Sequence, residues 1–160
     1  MVSTVRLRLI LIGRDKNEPL IEVADEYSRR INRYTSFEVV ELKETPLKSQ
    51  ANVDQVRSDE AKKIRKALKP GEHVIALDER GQSLSSVQVA ESLDRWSSHG
   101  PTSVAFVIGG PAGLDRDFLA TANGRWQLSK MTLPHRMARL ILTEQIYRAF
   151  TILRNEPYHK

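Results

Sequence analysis

"VAFVIGGPAGL" (residues 104–114) joins five unbroken apolar residues, Val104 to Ile108, to a turn in which Gly109, Gly110 and Gly113 crowd around Pro111. An apolar run without alternation, stopped by glycine, reads as a strand covered on both faces. Working outward, "VRLRLILIG" (5–13) begins with alternation and becomes continuously apolar in the same way. "FEVVEL" (37–42), "HVIALD" (73–78) and "WQLSK" (126–130) supply three more strands. Helical patterns fill the gaps. Over 18–34, Leu20, Val23, Ala24, Tyr27, Ile31 and Tyr34 recur at helical spacing. Residues 53–68 read as a charged surface helix stopped by Pro70-Gly71, and 85–98 opens on Ser85-Ser86-Val87-Gln88, the pattern of a capping box. A short helix is expected over 115–122 and a long, strongly apolar one over 136–153. Strands alternating with helices predict an α/β fold in one domain spanning 1–160, with a mainly parallel sheet and helices on both faces. The polar stretch "KETPLKSQAN" (43–52) is the expected mobile loop.

Composition narrows the function classes. The chain has 160 residues, 40% of them hydrophobic and 28% charged, which is ordinary for a globular protein. It has no cysteine, so disulfides and thiolate metal sites are excluded, no metal centre is expected, and a reducing cytoplasm suits it. No apolar run approaches the roughly 20 residues of a membrane-spanning helix. Arginines interrupt the apolar stretch of residues 1–13 and no small-residue cleavage site follows, so no leader is expected there. The net charge of +5 resides in residues 125–160, where seven basic residues face two acidic ones. A basic segment is a possible nucleic-acid footprint, but scattered arginines on a solvated helix give the same count.

The glycine turn is not a phosphate cradle. A P-loop needs Lys and a hydroxyl after its glycines, whereas Leu114-Asp115 follow here, and the G-x-G-x-x-G dinucleotide spacing is also missing. Two readings remain: a tight turn that needs positive φ, or a place where backbone approaches an uncharged ring. Two other strand ends, Leu77-Asp78 near Gly81 and "LSKMTLPH" (128–135), are able to converge on it. Together they would make a pocket for a flat heteroaromatic ligand. On the last helix, Met137, Ala138, Ile141, Leu142, Ile146, Ala149, Phe150, Ile152 and Leu153 cover well over half the circumference. A helix apolar nearly all round needs cover on two sides, and a second copy of the chain is the expected second cover. Arg148 lies one turn after Glu144, either as a plain i,i+4 pair or as an arginine held at the edge of a site.

With "VIGGPAGL" (107–114), "LSKMTLPHRMARLILTEQIYRAF" (128–150) and the terminal "NEPYHK" (155–160), the chain resembles the ribosomal RNA large subunit methyltransferase H family of the SPOUT class. The likeness covers essentially the whole chain, including "LRLILIG" and "VIALDERG". It implies a homodimer whose subunits carry a C-terminal trefoil knot, and S-adenosyl-L-methionine as cofactor. The implied reaction is methylation at N3 of pseudouridine 1915 of 23S rRNA, within the assembled 70S ribosome. The family's cofactor contacts carry over to Leu77, Gly109, Gly110, Leu128, Ser129, Lys130, Met131, Thr132 and Leu133. A wall with few cations is expected there, because the donor's sulfonium is already positive.

The catalytic candidates are His159 as base, Tyr158 stacking on or orienting the target, and Arg148 and Arg139 holding phosphate or the anionic base. His135 is expected to cap and pack the last helix. Arg29, Arg30, Arg33 and the 62–69 stretch offer extra grip on RNA, although Lys62 and Lys63 read as solubilising charges. An oxidoreductase lacks its dinucleotide glycines here. A non-catalytic ribosome-binding factor that kept the fold is the remaining alternative.

Overall fold

The computed structural model describes residues 5–14 and 18–160. The first four residues of the segment read as carrying no leader lie outside the described part. The order is β1 (Arg6–Ile12), α1 (Pro19–Ile31), β2 (Phe37–Leu42), a 3-10 turn (Gln50–Asn52), α2 (Val53–Ala67), β3 (His73–Ser83) and α3 (Ser86–His99). β4 (Ser103–Ile108), α4 (Arg116–Thr121), β5 (Gly124–Gln127) and α5 (His135–Leu153) follow. The five strands form one sheet in the order β2-β1-β4-β3-β5, and every neighbouring pair is parallel.

This order fixes where the helices go. The steps β1 to β2 and β3 to β4 run one way across the sheet, and β2 to β3 and β4 to β5 run the other. Right-handed crossovers then send α1 and α3 to one face and α2 and α4 to the opposite face. The core follows suit. Leu7, Leu9 and Leu11 of β1 pack with Ile31, Leu93 and Phe106, while Ile10 and Ile12 pack on the other side with Ala61, Ile64 and Phe118. The continuous run in β1 is thus two alternating sets, each under its own helices. Its one buried charge, Arg8, is fully engaged by Glu38 (3.1 Å), Glu72 (2.7 Å) and the Ala67 carbonyl (3.1 Å).

α5 joins the α1–α3 face. Leu142, Ile146, Ala149 and Phe150 enter the core cluster there, and Ser86 of α3 donates to Gln145 of α5 at 2.6 Å. The capping box at Ser85 is present, with the Ser85 hydroxyl accepting from Gln88 N (3.2 Å) and Gln88 accepting from Ser85 N (2.8 Å).

Three expectations are corrected. β3 continues past Asp78 to Ser83, because Gln82 and Ser83 return to pair with β5 after the register slips beyond Leu77. Gly81 permits that return: a Cβ there would lie 2.6 Å from the Trp126 carbonyl carbon. β5 ends at Gln127, so Leu128–Lys130 belong to the following loop and not to a strand. α2 is not a purely solvated helix, since Val56, Glu60, Ala61 and Ile64 are buried. Its Lys63 also serves as a tie, donating to the Lys43 carbonyl (2.8 Å) and the Thr45 hydroxyl (3.0 Å).

Candidate active site

Adjacent strands β3 and β4 send their chains to opposite faces of the sheet, which opens a crevice beyond their carboxyl ends. A cavity of about 750 Å³ occupies it, within the size range of small-ligand sites. Its lining comes from three segments: Leu77–Arg80 within β3, where its pairing with β5 slips, Ile108–Leu114 at and after the end of β4, and Trp126–Ser129 with Met131–His135 around and after the end of β5. Trp126 stacks on Trp96 (5.7 Å between centroids) and meets Phe106 at 5.4 Å, so an aromatic group from the core backs this wall.

The glycine turn is the tight turn that needs positive φ, and two of its glycines also line the cavity. Gly113 has φ of +83° and its N–H donates to the Gly110 carbonyl at 2.9 Å, closing a tight turn. Gly109 and Gly110 present bare backbone to the cavity. The next residue but one, Asp115, is the N-cap of α4 and accepts from Phe118 N at 3.1 Å.

Of the residues singled out for the cofactor, Leu77, Gly109, Gly110, Leu128, Ser129, Met131, Thr132 and Leu133 line this cavity. Lys130 does not. The Ser129 hydroxyl accepts from Met131 N at 2.9 Å, a tight turn that leaves Lys130 exposed. His135, read as a packing residue, also lines the cavity. The expectation of few cations is corrected: Arg57, Arg80, Arg116 and Arg125 border it, with Asp78 and Glu79. Two of the four spend donors on backbone, Arg57 on the Ala112 carbonyl and Arg125 on the Leu119 carbonyl (3.2 Å).

The C-terminal candidates form a separate cluster. After α5 the chain turns at Asn155, which has φ of +53°, and folds back along the helix. Tyr158 donates to Glu144 Oε1 (2.9 Å) and lies 3.3 Å from the Tyr27 hydroxyl. Arg148 donates to the same Glu144 oxygen (2.7 and 3.1 Å), stacks over the Tyr158 ring (4.8 Å) and meets His159 Nδ1 at 3.2 Å. Arginine has no acceptor, so Nδ1 supplies a lone pair and the neutral ring carries its proton on Nε2. Burial, the Tyr27 hydroxyl and the Glu144 carboxylate push the Tyr158 phenol well above its ordinary value. Glu144 and Tyr27, which hold this cluster, were not singled out as site residues. Glu144 was visible only as an i,i+4 partner.

Arg139, expected near phosphate or an anionic base, is 4% exposed and shared between Asp25 (3.4 Å) and Glu41 (3.3 Å). Within one chain its fork ties α5 to α1 and β2. None of Tyr158, His159, Arg148 and Arg139 lines the cavity. Arg148 stands about 15 Å further along α5 than Ala138, the last helical residue in the cavity wall, at 1.5 Å rise per residue.

The fold and the cleft define a class of protein. The model of a family described as a predicted SPOUT methyltransferase matches residues 5–159, and the chain belongs to that family, a family of methyl-transferring enzymes. Within it, the chain is 48% identical over 156 residues to a ribosomal RNA large subunit methyltransferase H of Anaeromyxobacter sp. (strain Fw109-5), covering 98% of this chain and all of that one. It is 39% identical over 159 residues to the protein of the same name from Acetivibrio thermocellus, with 98% and 100% covered. Among solved structures, a probable methylase family protein from Haemophilus influenzae superposes with a TM-score of 0.57 at 15% identity, over 100% of this chain and 72% of that one. A probable methyltransferase from Bordetella pertussis gives 0.56 at 16%, over 92% and 97%. At these identities the two structures speak for the fold alone.

Proposed function

We propose that the chain transfers the methyl group of S-adenosyl-L-methionine to N3 of a pseudouridine in 23S rRNA, pseudouridine 1915 by the family resemblance, acting on the assembled 70S ribosome in the cytoplasm. The observation that carries this reading is the meeting of the β3 irregularity with the ends of β4 and β5 around one cavity whose walls are mostly aliphatic side chains and backbone. Those walls suit an adenosyl group: Leu77, Leu128 and Leu133 offer apolar faces, and the backbone of Gly109, Gly110 and 128–133 offers N–H and C=O groups to ring edges. Asp78, Glu79 and the arginines at the rim supply both signs of charge for the zwitterionic methionine end. The donor, when bound, supplies an electrophilic methyl carbon with a neutral thioether as leaving group.

What remains is for the chain to align the base nitrogen with that carbon and to remove the imide proton. The C-terminal cluster is the candidate for the second task. His159 becomes a base only when Arg148 releases its Nδ1, and an incoming phosphate or anionic base is a competing partner for that guanidinium. Tyr158, kept as a phenol, orients the target by stacking or hydrogen bonding and does not take the proton. Arg139 positions α5.

A homodimer follows from reach. A methyl acceptor must approach within about 3–3.5 Å of its donor, and the tail of one chain lies too far along α5 from its own cavity. Met137, Leu140, Ile141, Glu144 and Arg148 share one face of α5 and none is buried in the single chain. Pairing two chains through this face would cover its apolar residues and bring the tail of one to the cavity of the other. The trefoil knot that the resemblance implies belongs to the same reading.

The test uses 70S ribosomes from cells lacking this modification, incubated with the protein and labelled S-adenosylmethionine and mapped by mass spectrometry. Label at N3 of a 23S pseudouridine is the expected result. Cofactor binding without any ribosomal label would instead support a non-catalytic ribosome-binding factor.

A further inference from the structure

On the inner side of α2, Glu60 is 2% exposed, a depth at which carboxylates seldom sit unless paired. One of its oxygens, Oε2, accepts from the Thr45 backbone N–H at 3.0 Å. The other, Oε1, is buried with no hydrogen-bond partner among the described residues. The carboxyl also lies flush against the glycine turn: a Cβ on Gly110 would sit 3.3 Å from Oε1, 3.5 Å from Oε2 and 3.0 Å from Ile12 Cγ2. Glu60 therefore occupies the space behind the turn whose front faces the cavity.

Around Glu60 come Asp59 and Lys63 from α2, and Glu44 and the Thr45 N–H from the 43–49 segment. The Ile12 methyl of β1 flanks the same point at Gly110 as the Glu60 carboxyl. Lys63 directs its ammonium to the Lys43 carbonyl and the Thr45 hydroxyl. One turn earlier on α2, Arg57 donates to the Ala112 carbonyl, so α2 grips the glycine turn at two places. Thr45 stands just before a side cavity of about 360 Å³ in which Leu47, Lys48 and Ser49 face Pro111 and Ala112.

We infer that Glu60 is a positioning residue for the cavity: wedged between Thr45 and Gly110, its carboxyl sets the height of the glycine turn and couples the turn to the 43–49 segment. The inference rests on the reading of the cavity as the methyl-donor site. Burial raises Glu60 above the ordinary carboxylate range, outweighing the Thr45 N–H and Lys63. An ionised carboxylate would leave Oε1 charged and undonated in the interior, whereas the neutral acid avoids that cost. Stability contributed by the neutral form is complete below the ordinary carboxylate range and is lost as pH rises towards the raised value. The glycine turn loosens in the same window.

The experiment measures S-adenosylmethionine binding by calorimetry and thermal unfolding for the full-length wild type, Glu60→Gln and Glu60→Ala, from about pH 5 to about pH 8. Glutamine keeps the shape and stays neutral throughout. Glu60→Gln is expected to bind within about twofold of wild type at the acid end and to stay level, while wild-type affinity falls several-fold towards the alkaline end. Its advantage in unfolding temperature over wild type should grow over the same interval. Glu60→Ala, which leaves the turn unsupported, is expected to bind roughly tenfold or more weakly at every pH. Parallel pH profiles for wild type and Glu60→Gln would overturn the inference, as would wild-type affinity in Glu60→Ala. If Glu60→Ala does not fold, the comparison of wild type with Glu60→Gln decides alone. A wild type that binds no S-adenosylmethionine at any pH would sink the reading of the cavity and this inference with it, whereas a failure confined to the variants sinks only the inference.

Discussion

Tyr158 and His159 show how much a single side chain's partners decide. Tyr158→Phe removes the bond to Glu144 and should cost about 1 kcal/mol of stability, readable in denaturant unfolding. Because Tyr158 stays protonated well past its ordinary value of 10.0, any limb of the pH–rate profile below about pH 9 should survive that substitution. His159→Ala is expected to lower methyl transfer by about 100-fold or more while S-adenosylmethionine binding stays unchanged. Equal loss of both would show that the tail supports the cavity and does not act on the target. At this scale the sequence was only partly legible. The three strand-end segments could be found because apolar runs stop at glycine or proline. Glu60 could not, since one acid among the charges of "RSDEAKKIRK" looks solvated until the sheet behind α2 is known. Arg139 was misleading for the same reason.

The irregularity within β3, between Leu77 and Gln82, is the element on which the cavity most depends. Gly81→Ala would drive a Cβ into the Arg125–Trp126 backbone, at 2.6 to 2.8 Å from three of its atoms, and should cost about 1–3 kcal/mol. The damage should extend to the cavity, weakening S-adenosylmethionine binding, because Leu77 and Trp126 are paired at the same place. Ser85→Ala, by contrast, removes a cap that is not part of the cavity lining and should cost about 1 kcal/mol with cofactor affinity intact. The elements themselves were largely legible. Periodicity located every strand and helix, and Ser85 with Gln88 marked a helix start to the residue. Strand ends were harder. "DERGQS" carries no apolar signal, yet its last two residues re-enter the sheet against β5; Leu128 carries one, yet lines the cavity beyond the strand.

For the whole molecule, the sheet order explains why chemistry collects at one edge: chains leave β3 and β4 for opposite faces and a third strand end closes over the gap. The convergence of these segments was readable from where the apolar runs stop, but the strand order that brings it about was not, since strand order is a long-range property. α5 places the cavity at its first turns and the Glu144–Arg148–Tyr158–His159 cluster further on, so under the proposed function a complete site would need two copies. Dilution of the protein should therefore reduce methyl transfer per chain before it reduces folding, a difference that activity and circular dichroism measured on the same series will show.

The most direct measurement mixes two inactive chains. Gly109→Val, which disturbs the donor cavity, and His159→Ala, which disables the tail, are co-expressed with different tags, and the mixed dimers are assayed on unmodified ribosomes. If the cavity of one chain works with the tail of the other, each mixed dimer holds one intact site of two and recovers roughly half of wild-type activity. No recovery from demonstrably mixed dimers would contradict a site shared between two chains.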